Sequence, residues 1–272
     1  MRQRARAGNL AAMRALPALL SPLPDAPFPP ADTALRQPDG LLAMGGDLTP
    51  TRLLKAYSSG IFPWYSQGQP ILWWSPDPRM VFDTDRFRLA SRFCRSLRRS
   101  GWMVRADTAF EEVIGACARV PRAGQDGTWI TSEMQAAYCE LHRLGHAHSV
   151  EVFDGPRLVG GIYGVAIGRM FFGESMFSGV SGGSKAALAG LAHRLRQWHW
   201  PLIDAQVSND HLLSLGAREM RRTEFLAKVA SLACMPEVAV SWTSRFGELP
   251  ATDLCRPMGG QTPGFAPDAG SA

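Results

Sequence analysis

The segment LIDAQVSNDH, residues 202–211, places an acid and an amide where both could act on one reactant. Side chains two positions apart in a strand point to the same side, so Asp204 and Gln206 share a face. Polar side chains in an apolar strand are costly unless they are hydrogen-bonded. The pair is therefore either a satisfied polar contact that holds a loop, or an orienting carboxylate behind an amide that faces a substrate.

A second candidate is Glu174 in FFGESMFS, where one carboxylate stands in a strand of large apolar residues. Glutamate is rarely buried without a partner. A carboxylate in an apolar pocket suits recognition of a cation such as an amine or a guanidinium group. The plain alternative is an exposed glutamate on an edge strand.

Two further motifs carry weaker signals. The glycine-rich segment SGVSGGSK ends at Lys185 and leads into a helix, which suits a phosphate, but the spacing is not that of a P-loop. It also lacks the pyrophosphate loop of acetyl-CoA-dependent N-acetyltransferases. His146 and His148 have no evident third partner, so we predict no metal site.

The elements that must position these residues belong to a globular protein. The chain has 272 residues, of which 46% are hydrophobic and 19% charged, and is long enough for one large or two small domains. No apolar run approaches the ~20 residues needed to cross a membrane. Five scattered cysteines without a C-x-x-C pair argue against a disulfide framework or a zinc site and favour a reducing cytoplasm.

Positive charge is concentrated in residues 86–105, which carry seven arginines and no acid within a chain of net charge +5. Read as one helix, this segment places Arg88, Arg92, Arg95 and Arg99 on one face, opposite an apolar stripe. Interleaved acids, which exposed helices use for pairing, are missing. The face is either a solvated helix surface or a contact for a polyanion such as an RNA backbone.

The chain divides into four parts. We predict a disordered extension over 1–24, a small Pro- and Gly-rich domain over 25–82, a regular domain over 83–245 and a flexible tail over 246–272. A helix in the small domain begins after the cap Thr49. In the larger domain we predict a basic helix, a strand, two helices (the second capped by Ser132), three antiparallel strands, and then helix, strand and helix. This order indicates an α+β fold with helices packed on a mixed sheet.

The stretch GIFPWYSQGQPILWWSPDPR, residues 60–79, contains five aromatic residues and four prolines. Such a stretch is either part of an aromatic core or a stiff surface on which a flat ligand stacks.

Several long stretches together resemble the leucyl/phenylalanyl-tRNA–protein transferases. They include PDGLLAMGGDLTPTRLLKAYSSGIFPWY, ILWWSPDPR, GTWIT, AYCELHRLGHAHSVEV, LVGGIYGVAIG, FFGESMFS and LIDAQVSNDHLLSLGA, and the resemblance covers residues 27–245 in order. It implies a small N-terminal domain joined to an acetyltransferase-like (GNAT-like) domain, with the active site at their junction.

The resemblance also implies the activity. The family transfers Leu or Phe, and less readily Met, from aminoacyl-tRNA to the N-terminal amine of proteins that begin with Arg or Lys. The added residue marks the protein for degradation through the N-degron pathway. Because aminoacyl-tRNA is an activated ester, the reaction needs no coenzyme A, metal or other cofactor. We expect a cytoplasmic monomer.

Carried onto this chain, the family's catalytic roles fall on three residues. Asp204 orients Gln206, and the carbonyl of Gln206 orients the reacting amine. The proton then passes to the leaving ribose oxygen or to Asp204. Glu174 binds either the cationic end of the acceptor or its α-amine.

The family's binding roles fall on three groups of residues. The terminal adenosine and the aminoacyl group are expected against Trp64, Trp129, Tyr57 and Tyr138, since single-stranded bases are held by stacking. The amino-acid side chain is expected against Ile162, Phe171, Met176, Phe177 and Leu191. The tRNA backbone is expected against Arg88, Arg92, Arg95, Arg99 and Lys185.

Two other functions fit parts of the sequence. One is an acyltransferase of the same fold that uses acyl-CoA, against which the missing pyrophosphate loop counts. The other is an RNA-binding module without catalysis, which would keep the arginines and tryptophans but would not need Asp204 and Gln206.

Overall fold

A computed structural model describes residues 16–120, 129–236 and 240–256. Four short strands form one sheet in the order β1-β2-β4-β3: β1 (Ala18–Leu20), β2 (Leu41–Gly45), β3 (Phe62–Pro63) and β4 (Leu72–Trp74). Eight strands form a larger sheet in the order β11-β5-β10-β9-β8-β7-β6-β12: β5 (Arg79–Asp83), β6 (Met103–Ala106), β7 (Ala147–Asp154), β8 (Arg157–Ile167), β9 (Met170–Ser178), β10 (Leu202–Gln206), β11 (Arg218–Met220) and β12 (Leu249–Pro250).

Eight α-helices accompany the sheets within the described residues: α1 (Pro50–Ser58), α2 (Ser91–Ser100), α3 (Phe110–Arg119), α4 (Ser132–Arg143), α5 (Gly183–Gln197), α6 (Asp210–Ser214), α7 (Arg222–Leu232) and α8 (Trp242–Phe246). None of the helices in the described part of the chain is both long and apolar enough to cross a membrane. The predicted mixed α and β content is confirmed, and so are the three consecutive antiparallel strands β7, β8 and β9.

The larger sheet separates two apolar cores. Residues from α1, α3, α4 and α7 cover one face, and residues from α2, α5, α8 and the C-terminal 3-10 helix (Ala251–Cys255) cover the other. Helix α5 approaches the sheet closely because its buried face is rich in alanine and glycine. A Cβ added to Gly160 on β8 would lie 2.3 Å from the backbone of Gly183, so the start of α5 is pressed against this strand.

Helix α1 carries an important side chain toward the larger sheet. As predicted, Thr49 caps it, accepting a hydrogen bond from the backbone N–H of Arg52, and Pro50 begins it. Its buried face includes Tyr57. The predicted cap of α4 is wrong by one residue: Thr131, whose hydroxyl accepts from Met134 N–H, is the cap in place of Ser132.

The basic helix is shorter than predicted. Helix α2 begins at Ser91 after the extended residue Ala90, so Arg88 lies in the preceding loop and does not continue the helical face. The Arg88 guanidinium instead donates to the backbone carbonyls of Asp85 and Phe87. Three of the predicted four arginines, Arg92, Arg95 and Arg99, remain exposed on α2.

Regular structure occurs in the described parts of both predicted flanks, residues 16–24 and 246–256. Residues 18–20, inside the expected disordered extension, form β1, because β2 offers a parallel edge and the buried Arg52 donates to the carbonyl oxygens of Ser21 and Leu23. In the expected tail, Leu249–Pro250 pair with β6 and Ala251 is buried. Residues 1–15 and 257–272 lie outside the described residues, so the prediction stays untested there.

The predicted domain boundary near residue 82 falls at the end of a strand that joins the two parts. Strand β5 belongs to the larger sheet, between β11 and β10. One apolar core also contains residues from both sides of this boundary, among them Tyr57 and Tyr138. The division into domains stays a prediction.

Candidate active site

Two neighbouring strands separate at the centre of the larger sheet. Strands β9 and β10 are paired in parallel from Leu202 opposite Met170 to Asp204 opposite Phe172, where the pairing ends. Beyond this point, a cavity of about 100 Å³ lies between residues 173–176 of β9 and residues 203–206 of β10. The separation gives a small molecule access to side chains that a continuous sheet would enclose.

A bulge on each strand aims a polar side chain at this region. In the pairing of β8 with β9, the register passes from Gly173 to Ser175 and leaves Glu174 as the extra residue. In the pairing of β10 with β5, the register passes from Asp204 to Gln206 and leaves Ala205 as the extra residue. A bulge changes the direction of a strand's side chains, which is how the Glu174 and Gln206 side chains come together.

Glu174 is the centre of a buried hydrogen-bond network. Its Oε1 accepts from the Tyr57 hydroxyl at 2.7 Å and from Gln206 Nε2 at 2.6 Å, and its Oε2 accepts from the Tyr138 hydroxyl at 2.9 Å. The two tyrosine hydroxyl oxygens also lie within hydrogen-bond distance of each other. The exposed-edge alternative is therefore wrong, since Glu174 is 8% exposed and fully partnered.

Burial raises the pKa of Glu174 to about 7, although the hydrogen bonds from Tyr57 and Tyr138 oppose this increase, and the negative charge of Asp204 adds to it. The pKa values of both tyrosines lie well above their usual range, mainly because they are buried and then because Glu174 is close. The network therefore holds one group, Glu174, that can change its charge near neutral pH.

Gln206 has an unusual backbone conformation that the network fixes. Its φ of +62° is in the left-handed region, which costs a non-glycine residue roughly 1–2 kcal/mol. Its N–H donates to Asp204 Oδ1 at 2.9 Å, and its Nε2 donates to Glu174. Asp204 thus holds the backbone of Gln206, whereas Glu174 holds its side chain. With Nε2 committed, no donor among the described residues reaches Gln206 Oε1.

Arg79 is a component of the site that the sequence analysis missed. Its Nε and Nη2 donate to the two carboxylate oxygens of Asp204 at 2.8 and 2.6 Å, and both residues are fully buried. Its guanidinium lies 4.6 Å from the ring centre of Phe62 and 4.5 Å from that of Phe225. Nη1 donates to the carbonyl of Gly60 at 3.2 Å. The only sequence signal is an arginine that opens the apolar strand RMVF.

The residues expected to bind the amino-acid side chain divide between the two cores. Ile162 and Met176 line the cavity. Phe171 and Leu191 are fully buried in the same core but do not line it, and Phe177 belongs to the core on the other face. Phe177 differs because Met176 and Phe177 are adjacent in a strand and point to opposite faces. Leu188 and Leu212 line the cavity and were not predicted.

The predicted aromatic platform is partly core. Trp64 is half-buried with its ring 5.6 Å from that of Trp74, and Trp129 is 7% exposed. Both pack against the core that contains Tyr57 and Tyr138. The tyrosines are fully buried and reach Glu174, so they are part of its network and are not a stacking surface.

The predicted backbone-binding residues lie at the start of α5, along α2 and, for Arg88, in the loop before α2. The ammonium group of Lys185 lies 5.1 Å from the ring centre of Phe93 on α2. This places Lys185 beside the helix that carries Arg92, Arg95 and Arg99.

A histidine cluster lies elsewhere, on α4, on β7 and just after β6. Asp107, His142 and His148 bring potential metal ligands within 4.8 Å of one another. These atoms are already hydrogen-bonded: His148 contacts Asp107 at 2.7 Å and the Gly145 carbonyl at 3.1 Å, and His142 contacts the Ala147 carbonyl at 2.8 Å. We therefore interpret the cluster as a structural network and assign no metal to it.

Comparison with known proteins is consistent across the chain. Residues 81–230 match the family model of the leucyl/phenylalanyl-tRNA protein transferases, and residues 46–77 match the model of that family's N-terminal domain. A leucyl/phenylalanyl-tRNA–protein transferase of Xanthomonas euvesicatoria pv. vesicatoria is 69% identical over 239 residues, which are 88% of this chain and 96% of the relative. That of Xylella fastidiosa is 62% identical over 242 residues, 89% of this chain and 100% of the relative.

Solved structures give a more distant comparison. The structure of L-PGS from Bacillus licheniformis matches 62% of this chain and 53% of its own with a TM-score of 0.36 and 9% identity, which is too low to assign a fold. The sequence matches are decisive, because both family models align in the expected order and the relatives are matched over nearly their whole length. The chain belongs to the leucyl/phenylalanyl-tRNA protein transferase family and is an aminoacyltransferase.

Proposed function

We propose that the protein transfers leucine or phenylalanine, and less readily methionine, from charged tRNA to the N-terminal amine of proteins that begin with Arg or Lys, marking them for N-degron degradation. The observation that carries this proposal is the Glu174–Gln206 pair at the mouth of an apolar cavity. The cavity suits an apolar aminoacyl group, and the amide oxygen beside it suits an amine.

In this proposal, Gln206 orients the attacking amine. Its Nε2 is held by Glu174, which leaves Oε1 to accept a hydrogen bond from the amine. A neutral amide is too weak a base to hold a proton, so its contribution is positioning. Aligning the amine with the ester carbonyl can supply much of the required rate increase.

The route of the proton follows from how the two acids are partnered. Arg79 occupies both oxygens of Asp204, and the Gln206 N–H adds a third hydrogen bond, so Asp204 is poorly placed to receive a proton. The new peptide bond forms as the ester C–O bond breaks, and the amine's proton passes to the leaving ribose oxygen. Glu174, whose pKa is about 7, carries negative charge above that pH and would stabilise the positive charge that develops on the amine nitrogen as it attacks the ester carbonyl.

The cavity supports the choice of amino acid. Its walls include Ile162, Met176 and Leu188, and its volume is about 100 Å³. Apolar walls favour Leu, Phe and Met over polar side chains. A branch at the β-carbon of Ile or Val would place a methyl group at the mouth, beside Glu174 and Gln206.

The tRNA would contact two regions. Trp64, which is half-buried, would stack with the terminal adenosine, while Trp129 supports it from the core. The exposed arginines of α2, together with Lys185, would contact backbone phosphates without reading the sequence.

The wider expectations belong to the same proposal. The parallel pair β9–β10, which separates within an otherwise antiparallel sheet, supports an acetyltransferase-like (GNAT-like) fold for residues 83–245. Residues 25–82 would form the small domain. We further propose a monomer that acts in the cytoplasm without a cofactor.

The test is to mix the purified protein with Leu-charged tRNA and a short peptide that begins with Arg, and to measure the mass of the peptide. We expect a gain of one leucine residue, and none on a matched peptide that begins with Ala. Intact charged tRNA with no transfer to either peptide would contradict the proposal. Equal transfer to both peptides would contradict the acceptor rule alone.

A further inference from the structure

A second cavity, of about 340 Å³, lies between residues 84–89, α2, α5 and the C-terminal segment 254–256. We call it the basic pocket. It shares no lining residue with the active-site cavity. Phe82 lines the active-site cavity and Phe87 lines the basic pocket, and their ring centres are 5.7 Å apart. The two cavities are therefore neighbours, separated by one aromatic pair.

The lining of the basic pocket is positively charged. Arg88, Arg196 and Arg256 contribute to it, and no carboxylate from the described part of the chain does. Arg256 is partly neutralised by Asp253, 3.3 Å away. Arg196 is half-buried, and its guanidinium makes no hydrogen bond or ion pair with the residues that the structure describes. The Arg196 guanidinium nitrogens are not among the buried polar atoms, so the group is open to a ligand that supplies negative charge.

His193 reports the same excess of positive charge. It lies one turn before Arg196 on α5 and lines the pocket. Its pKa is lowered by burial first and then by the nearby Arg194 and Arg196, with only partial opposition from Asp253. The contribution of the two arginines to this shift agrees with the absence of a carboxylate from the described lining of the pocket.

Most of the remaining lining is apolar. Phe87, Leu89, Ala192 and Leu254 form a surface beside the guanidinium groups. An apolar surface next to guanidinium groups matches the chemistry of a nucleotide, whose base and sugar have flat faces and whose phosphate accepts hydrogen bonds in pairs from arginine. The volume lies within the range of small-molecule sites, about 300–1,000 Å³.

We propose that the basic pocket binds a nucleotide of the donor tRNA through its backbone phosphate, with Arg196 as the principal contact. The assignment rests on the proposed function, since it requires tRNA as the donor. It is supported by position, because Arg88 and α2 connect the pocket to the exposed arginines of that helix. The pocket would fix the donor's position next to the cavity in which its aminoacyl group reacts.

The test compares two donors, Leu-charged tRNA and the minimal donor leucyl-adenosine, which has no backbone phosphate. We expect Arg196→Ala to raise the KM for charged tRNA at least fivefold with little change in kcat, and to leave the KM for leucyl-adenosine within twofold of wild type. The slope of the logarithm of the association constant for charged tRNA against the logarithm of salt concentration should become less steep by about one. Arg196→Lys keeps the charge, so its KM for charged tRNA should lie between those of wild type and Arg196→Ala.

The matched control is Arg157→Ala, which removes an exposed arginine at the β7–β8 turn that lines neither cavity. Thermal melting of each variant checks folding. If Arg196→Ala and Arg157→Ala have the same KM for charged tRNA, the assignment is wrong. A loss with both donors also overturns it, because the pocket would then support the fold or the chemistry.

Free nucleotide is the other source of the same chemistry, and AMP is the probe for it. We expect AMP to raise the apparent KM for charged tRNA less in Arg196→Ala than in wild type. AMP binding that depends on Arg196 but does not compete with charged tRNA would assign the pocket to a free nucleotide and overturn the tRNA assignment. A wild-type protein that uses neither donor contradicts the proposed function, and the tRNA assignment with it.

Discussion

Replacing Glu174 with glutamine should flatten the pH dependence of folding stability. The folded protein holds a proton on Glu174 up to a pKa of about 7, whereas the unfolded chain loses it near 4.5. Between these values the folded state binds more protons, so its stability falls as the pH rises. This contribution is fully present below pH 4.5 and is lost as the pH passes 7.

The magnitude follows from the interval between the two pKa values. A difference of one unit in pKa is worth about 1.4 kcal/mol. Because folding raises the pKa of Glu174 from 4.5 to about 7, raising the pH through this interval lowers the free energy of unfolding by about 3 kcal/mol through this group alone. Glutamine keeps a carbonyl acceptor for Tyr57 and cannot titrate. As the pH rises from 4.5 to 8, the free energy of unfolding of Glu174→Gln should therefore increase by about 3 kcal/mol relative to that of wild type.

Urea denaturation followed by tryptophan fluorescence, at several pH values, measures this difference. The matched control is Glu112→Gln, an exposed glutamate on α3, whose curve should run parallel to that of wild type. If the Glu174→Gln curve also ran parallel to that of wild type, Glu174 would be ionised in the folded state throughout, and the reasoning from its burial would be refuted.

Three other predictions concern the surroundings of the site. Arg79→Ala should lower the free energy of unfolding, measured by urea titration, by about 3–5 kcal/mol, because Asp204 is left buried and unpaired. The double variant with Ala at both positions should lose less stability than the sum of the two single variants, and a fully additive loss would contradict the pairing. Ile162→Ala should enlarge the cavity and so raise the ratio of kcat/KM for Phe to that for Leu at least threefold in competition assays, since one methylene is worth ~1–3 kcal/mol. An unchanged ratio would show that Ile162 does not determine the choice of amino acid. Gly160→Ala should lower the Tm by roughly 3–10 °C in calorimetry, since its Cβ would meet the Gly183 backbone at 2.3 Å; an unchanged Tm would contradict the close packing of α5.

The sequence predicts burial and local geometry well where side-chain type and short-range spacing decide. Asp204 and Gln206 both lie on β10 and are both buried, as expected for a hydrogen-bonded polar pair in an apolar strand. The apolar surroundings of Glu174 correctly indicate burial. Thr49 and Pro50 correctly place the start of α1, because capping depends on only a few neighbouring residues.

The sequence does not predict what depends on register or on distant partners. Glu174 is the extra residue of a bulge in β9, and this displacement turns its side chain toward Tyr57 and Tyr138. The regular alternation of side chains along a strand does not predict the displacement. Arg79 meets Asp204 across 125 positions of sequence, so no local pattern reveals the pair. Arg88 falls outside α2 although its spacing suits the helix, because the capping geometry at Ala90 sets the start.

The most direct test of the account is the single-turnover rate of leucine transfer to an Arg-peptide by Gln206→Ala, with saturating charged tRNA. The account predicts a rate at least about 100-fold below that of wild type, equivalent to about 3 kcal/mol of lost positioning, with the Kd for charged tRNA unchanged. A rate within threefold of wild type would contradict the claim that the amide held by Glu174 orients the reacting amine.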